Sequence, residues 1–327
     1  MNPLRAFLTA GNAPSILSSL MSTPRPLLLL GGSSYVGQAL VRRLGPSRVL
    51  ATHCKTPFPG SQPFDVRSDS VRALCAPGEV SHALILLGNT SPNACLEDEA
   101  ASWSLNVTAI LRILLELREL GIVPVFTSTE SVFDGERGGY SEADSPKPLM
   151  TYARQKVVIE EFLAACLPES VVVRLGLVYS SEPHERNLLS RWAKAIGAGQ
   201  EELTGAHDYV CSPVHVDDVA EGLLALIERD ARGLFHLGGP EALSRCDMLD
   251  LLLNAAARCG LKPPTLRRCS MKEFEVPEPR PLDCSLRSAK LIARTGLAPR
   301  SLGSALDECA ESLFNAYLPS GDAACSS

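Results

Sequence analysis

Leu27-Leu28-Leu29-Leu30-Gly31-Gly32-Ser33-Ser34-Tyr35-Val36-Gly37-Gln38-Ala39-Leu40-Val41 is the stretch that decides the fold. Four consecutive leucines fit a buried strand, the glycine pair a tight turn, and Val36, Leu40, Val41 and Leu44 the apolar side of a following helix. A strand that turns through glycine into a helix directs unpaired amides and the positive end of a helix dipole at one spot, which suits a pyrophosphate. The spacing is Gly31-x-x-Ser34-x-x-Gly37. Ser34 stands where a glycine is usual, so its Cβ narrows the approach of the phosphates while its hydroxyl offers a ligand. Gly31, Ser33, Ser34, Tyr35, Val36 and Gly37 are therefore the candidate phosphate-binding residues.

Beyond this turn, apolar strands alternate with longer helical stretches. Strands are expected at Arg48–Thr52, His82–Leu87, Val123–Ser128 and Val171–Leu175, with an apolar helix from Leu105 to Leu117 between two of them. Such βαβα order predicts an α/β fold with a doubly wound parallel sheet, whose ligands collect at the carboxyl ends of the strands. Gly31, Gly88 and Thr129 all fall at such ends, so Leu87 and Gly88 join the cofactor candidates. The expected organisation is a Rossmann-type nucleotide-binding part over 26–180, followed by a smaller α/β substrate-binding part over 181–318. Residues 1–25 are read as a flexible extension and 319–327 as a disordered tail.

After the second strand, an acid would bind the ribose hydroxyls of NAD and repel a 2′-phosphate. This chain has His53-Cys54-Lys55 there, with Arg42 and Arg43 ending the first helix, which favours NADP(H) and assigns Lys55 to it. Asp65 and Val66, in Phe64-Asp65-Val66, stand where the next loop can reach an adenine amine; a solvated turn is the competing reading of Asp65.

Tyr152 and Lys156, four residues apart on one face of a predicted helix, form a second constellation. A phenol with an ordinary pKa of about 10 is a poor acid near neutrality, and a lysine one turn away can stabilise its phenolate. Thr129 ends the strand just upstream.

Composition frames these motifs. The chain has 327 residues, 45% hydrophobic and 21% charged, enough to bury a substantial core. A net charge of −6 without a long basic run argues against nucleic acid as a partner. Eleven cysteines stand singly, without Cys-x-x-Cys, so neither a metal site nor a disulfide framework is suggested and a reducing compartment, the cytoplasm, fits. No apolar stretch approaches the roughly eighteen residues of a membrane span, so no membrane partner is expected. Residues 1–26 hold Arg5, Arg25, several serines and no acid, a pattern faintly like an organelle transit peptide; a disordered extension is the preferred reading.

One ordered run carries a family resemblance: Ser128-Thr129-Glu130-Ser131-Val132-Phe133-Asp134-Gly135, then Gly139-Tyr140-Ser141-Glu142-Ala143-Asp144, Pro148 and the Tyr152/Lys156 helix. Asn93 to Asp98, Ser212-Pro213, Val216 to Ala220, Phe235 to Gly239 and Arg280 to Leu286 extend it over residues 26–310. The chain resembles the extended short-chain dehydrogenase/reductases, in their dTDP-4-dehydrorhamnose reductase branch. The resemblance implies an NADP-dependent reductase of a 4-keto-6-deoxy nucleotide-sugar. Tyr152 would donate the proton, Lys156 lower its pKa and hold the nicotinamide ribose, and Thr129 bond the developing alkoxide. It further implies that Asn106 positions the lysine, that Glu130, Ser131, Asn187 and Asp208 face the substrate, and that a homodimer is open as an assembly. Where this branch usually has Thr-Asp-Tyr, the chain reads Thr129-Glu130-Ser131, which alters the sugar pocket. The same branch holds non-catalytic NADP-binding proteins such as the methionine adenosyltransferase β subunit, an alternative reading; an epimerase or dehydratase is a third.

Overall fold

The computed structural model describes residues 25–180, 182 and 187–317. The extension assigned to 1–25, Arg25 apart, and the tail assigned to 319–327 lie outside the described residues.

Strands run in chain order as β1 (Leu27–Leu30), β2 (Val49–His53), β3 (Gln62–Pro63), β4 (His82–Ile85), β5 (Val123–Thr129), β6 (Val171–Leu175), β7 (Val178–Tyr179), β8 (Glu202–Ala206), β9 (Val210–Cys211), β10 (Val214–His215), β11 (Gly233–Leu237), β12 (Leu243–Ser244) and β13 (Thr265–Cys269). Seven of them form one parallel sheet in the order β11-β6-β5-β4-β1-β2-β3. The reversal of strand order falls beside β1, between β4 and β2, which is where such a sheet opens a ligand crevice. All four residues of β1 are buried because both of its faces are covered. Leu27 and Leu29 pack into one apolar cluster, Leu28 and Leu30 into another on the opposite face.

The helices are α1 (Tyr35–Leu44), α2 (Pro92–Glu97), α3 (Glu99–Trp103), α4 (Ile110–Glu119), α5 (Thr151–Cys166), α6 (Leu188–Gly197), α7 (Val216–Glu228), α8 (Arg245–Arg258), α9 (Ala289–Thr295) and α10 (Leu302–Asn315). A π turn, Ser104–Ala109, joins α3 to α4. Residues Glu99–Glu119 thus form a helical stretch of 21 residues with a hydropathy of 1.3, long and apolar enough by length and composition to cross a membrane. That corrects the expectation that no segment approaches such a length. Its Ile110, Ile113, Leu114 and Leu117 are fully packed in the core beneath the sheet, each contributing about 1.5–3 kcal/mol of burial.

Residue 180 is not a clean boundary. β11 is an outer strand of the main sheet, and Val216, Val219, Leu223 and Leu226 of α7 share a core with Leu27, Leu29 and Leu40. A separate core around Leu249, Leu252, Leu306 and Phe314 belongs to the later helices α6, α8 and α10. The segment 278–287 then runs back to the first half: the Tyr140 amide donates to Ser285 O at 2.8 Å, and the Gly139 amide to Ser285 Oγ at 2.8 Å.

Candidate active site

The glycine turn is built for close approach. Gly31 has φ +93°, and a Cβ there would lie 2.9 Å from Leu86 O; at Gly37 it would lie 2.6 Å from the carbonyl oxygens of both Gly31 and Gly32. Only glycine lets α1 start so close to β1. Ser34 is the N-cap of α1: its Oγ accepts from the Gly37 amide at 3.1 Å. The hydroxyl read from sequence as a phosphate ligand is thus a helix cap, a role serine fills well. Thr52, at the end of β2, accepts from the Gly31 amide and donates to Leu29 O, both at 3.1 Å, and so latches the turn to the sheet. Sequence reasoning missed this residue; a threonine closing the neighbouring strand was the available signal.

Around the turn, Ser33, Tyr35 and Val36 are half-buried, and burial pushes the Tyr35 phenol upward, with Glu182 and Asp217 adding to the effect. Lys55 is exposed just beyond β2. Val66 is buried in the core, and Asp65 is occupied by Arg67, whose Nε and Nη2 donate to it at 3.0 and 2.7 Å and hold its carboxyl near 2. Asp65 thus sits in a surface turn, paired with the exposed Arg67. Gly88 has φ +128°, and a Cβ there would meet Asn106 Oδ1 at 2.8 Å; Leu87 packs partly into the core beside Gly31.

Asn106 sits on the π turn and reaches three ways. Its Oδ1 accepts from the Asn89 amide at 2.8 Å, and its Nδ2 donates to Asn89 O at 3.0 Å and to Gln155 Oε1 at 2.7 Å. Gln155 Nε2 in turn donates to Ser102 Oγ at 2.8 Å. Asn106 thus ties the loop after β4 to the residue preceding Lys156, rather than touching the lysine itself.

Thr129, Tyr152 and Lys156 converge at the end of β5. Thr129 favours the phenolate of Tyr152 and caps the short turn after β5, accepting from the Ser131 amide at 3.2 Å. Lys156 Nζ donates to Thr127 O at 2.9 Å, lies 4.5 Å over the Phe126 ring and 6.0 Å from the centre of the Tyr152 ring. Burial lowers the Lys156 amine to about 8 against the opposing pull of Glu160 and Cys95. Burial also raises the Tyr152 phenol, with Cys95 adding to it and Thr129 opposing it. The expected lowering of the Tyr152 pKa by Lys156 is absent from this arrangement, because desolvation of the phenolate outweighs any help from an amine turned toward Thr127.

A family model described as the RmlD substrate binding domain matches residues 25–315. The chain belongs to this family. A dTDP-4-dehydrorhamnose reductase of Mycobacterium tuberculosis is 30% identical over 216 residues, 64% of this chain and 69% of the relative. The methionine adenosyltransferase 2 subunit beta of Danio rerio is 24% identical over 242 residues, 71% of this chain and 74% of the relative. Among solved structures, the dTDP-4-dehydrorhamnose reductase of Bacillus anthracis in complex with NADP has a TM-score of 0.75 at 18% identity, covering 89% of this chain and 100% of that one. The expected family and parallel α/β fold both stand.

The RmlD-type residues expected on the substrate side divide. Glu130 and Ser131 follow Thr129 directly, half-buried, and Glu130 Oε2 is enclosed without a hydrogen-bond partner. Burial raises Glu130 to about 8, opposed first by the charge of Arg245. Asn187 caps α6, accepting from the Leu189 amide at 3.1 Å and donating to Ser180 O at 2.8 Å, and is only 2% exposed. Asp208 accepts from Ser270 Oγ and the Met271 amide, both at 2.6 Å. Both therefore make structural bonds within the protein. Ser212 and His215 likewise serve the backbone, accepting from the Leu286 amide at 3.0 Å and from the Asp217 amide at 3.2 Å.

Proposed function

We propose that this protein is an NADPH-dependent reductase of a nucleotide-linked 4-keto-6-deoxy sugar. The observation that carries the reading is the meeting of Thr129, at the carboxyl end of β5, with Tyr152 and Lys156 on α5, where Lys156 Nζ donates to Thr127 O at 2.9 Å and lies 6.0 Å from the centre of the Tyr152 ring. A protein that only bound a dinucleotide would need no phenol held at that point. The glycine cradle at Gly31 and Gly37 and the exposed Lys55 fit a dinucleotide bearing a 2′-phosphate. When bound, NADPH supplies the hydride.

The chain's own residues manage the proton. Tyr152 holds it on its phenolic oxygen, and Thr129 Oγ1 orients that oxygen and offers a second polar contact to the developing alkoxide. As that proton leaves, the Lys156 amine, 6.0 Å from the centre of the Tyr152 ring, is a cation that can offset the new phenolate. The raised Tyr152 pKa keeps the proton on the phenol until the developing alkoxide presents a stronger base. Ser131, with no ring where this branch usually carries tyrosine, leaves room for a bulkier sugar substituent. A reducing, cytoplasmic setting and a homodimer fit the same reading.

The test is oxidation of NADPH by purified protein supplied with dTDP-4-keto-6-deoxy sugar, with NADH and Tyr152→Phe as controls. Turnover that requires Tyr152 supports the reading; binding of NADPH without consumption counts against it. The second outcome would favour a regulatory NADP-binding subunit, which the similarity to the methionine adenosyltransferase β subunit keeps in view.

A further inference from the structure

Gln155, the residue before Lys156 on α5, is fully buried. Burying an amide is costly unless both of its ends are bonded, and here both are. Its Oε1 accepts from Asn106 Nδ2 at 2.7 Å, and its Nε2 donates to Ser102 Oγ at 2.8 Å. Among the described residues these are the two side-chain hydrogen bonds that join α5 to the segment 88–109. Each partner leads on. Asn106 holds both backbone groups of Asn89, accepting from its amide at 2.8 Å and donating to its carbonyl at 3.0 Å, and Cys95 Sγ donates to that carbonyl at 3.3 Å. Ser102 Oγ donates to Cys95 O at 2.8 Å. Asn89 follows Gly88 in the loop after β4, whose carboxyl end lies beside β1 where the sheet opens its ligand crevice. A continuous chain of polar groups therefore runs from that loop to the helical turn that carries Tyr152 and Lys156.

We propose that Gln155 is a positioning residue, the brace that holds the cofactor-bearing loop at Gly88–Asn89 in register with the catalytic helix α5. Its place in turnover rests on the reductase reading, whereas its bearing on NADPH binding does not. The hydride and the proton come from different elements, NADPH along the strand ends and Tyr152 on α5, so both arrive together only if those elements keep a fixed relation. A misplacement of about 1 Å can cost on the order of 10²-fold in rate. Gln155 suits the task because one planar amide offers an acceptor to Asn106 and a donor to Ser102 at once, in a buried site where water does not replace either bond. Asn106 keeps its two bonds to Asn89 without Gln155, and Lys156 keeps its bond to Thr127 O. Losing the glutamine amide thus leaves the loop stapled and the reacting groups intact, and removes the tie between them.

The test compares the full-length protein with Gln155→Met, Asn106→Ala and the double variant, by NADPH titration in a calorimeter and by NADPH oxidation with dTDP-4-keto-6-deoxy sugar. Methionine keeps the buried volume and removes both bonds. Expected for Gln155→Met is a fall in kcat of about 10- to 100-fold at an unchanged sugar KM, with NADPH affinity weakened about 3- to 10-fold. In the Asn106→Ala background the same substitution should cost little more in either quantity, because a brace acts only through its partner. Wild-type kcat and NADPH affinity in Gln155→Met, a loss that falls on KM instead, or losses that simply multiply in the double variant overturn the brace. Should methionine fail to fold, Ser102→Ala removes the anchor of Gln155 Nε2 alone; a smaller loss in kcat without KM is then expected, and no loss overturns the role. NADPH titration separates the two claims. A wild type that binds NADPH without turnover removes the reductase reading, and the non-additive loss of NADPH affinity still decides the brace.

Discussion

Glu278 and Thr151 stand 127 residues apart and are joined by two hydrogen bonds of 2.8 Å, from the Thr151 amide and from its hydroxyl to Glu278 Oε1. Met150, the N-cap residue of α5, contributes no side-chain bond of its own. The helix that carries Tyr152 and Lys156 is therefore capped by a carboxylate from the far end of the chain, where a negative charge also suits the helix dipole. Arg154 Nη2 closes the cluster at 3.2 Å from the same oxygen.

Glu278→Ala should lower stability by about 1–2 kcal/mol, the cost of losing a good cap, and reduce kcat without weakening NADPH binding. Urea denaturation and steady-state kinetics check this. A wild-type midpoint would remove the role assigned to the carboxylate.

Tyr152→Phe should cut turnover by about 10²- to 10⁴-fold, the usual worth of a positioned acid. It should leave NADPH affinity close to wild type, since the ring and its packing persist. Stopped-flow fluorescence for binding beside absorbance for turnover separates the two effects.

Glu130 and Lys156 should contribute opposite slopes to the pH dependence of stability. Folding raises Glu130 from 4.5 to about 8, so the folded state binds more protons across that range and stability falls as pH rises through it. Lys156 is lowered from 10.5 to about 8, so between pH 8 and 10.5 this group contributes a rise in stability, opposed above pH 9 by the buried Cys211 and Cys284 thiols. In Glu130→Gln the falling limb between pH 4.5 and 8 should flatten while the rising limb stays; thermal melting across the pH series reads both. A falling limb unchanged in the variant would show that Glu130 is not its source.

Ser34→Ala should cost about 1 kcal/mol and Ser34→Gly only about 0.3 kcal/mol, because glycine is tolerated at an N-cap and alanine is not. If the Ser34 hydroxyl acts only as a cap, Ser34→Gly should keep full NADPH affinity. A tenfold loss there, seen by calorimetry, would restore the serine as a phosphate ligand.

What the sequence made legible is what short spacing encodes. Gly31 and Gly37 belong to one turn and Tyr152 and Lys156 to one helical face, so each pair can be read from its neighbours alone. β3 escaped because Gln62–Pro63 is a two-residue exposed edge without an apolar pattern. β11 escaped because Gly233–Leu237 is recognised as a sheet member only through its pairing with β6. Thr52, Glu278 and Gln155 act across gaps in sequence that no local pattern spans. The structural bonds of Asn187 and Asp208 were hidden for the converse reason: a polar side chain looks free until the backbone it caps is in place.

The return of residues 278–287 to the first half has a consequence for how the molecule is made. A ribosome adding about 5–20 residues per second needs roughly 6–25 s to travel from Thr151 to Glu278. Throughout that interval the start of α5 is synthesised but lacks its cap, and Tyr140 lacks its partner on Ser285. The glycine turn and the first strands can assemble early, whereas the proton-donating helix is locked only by the last sixth or so of the chain. A transcript truncated before codon 278 would then yield a chain with its nucleotide cradle largely in place and its acid unsecured.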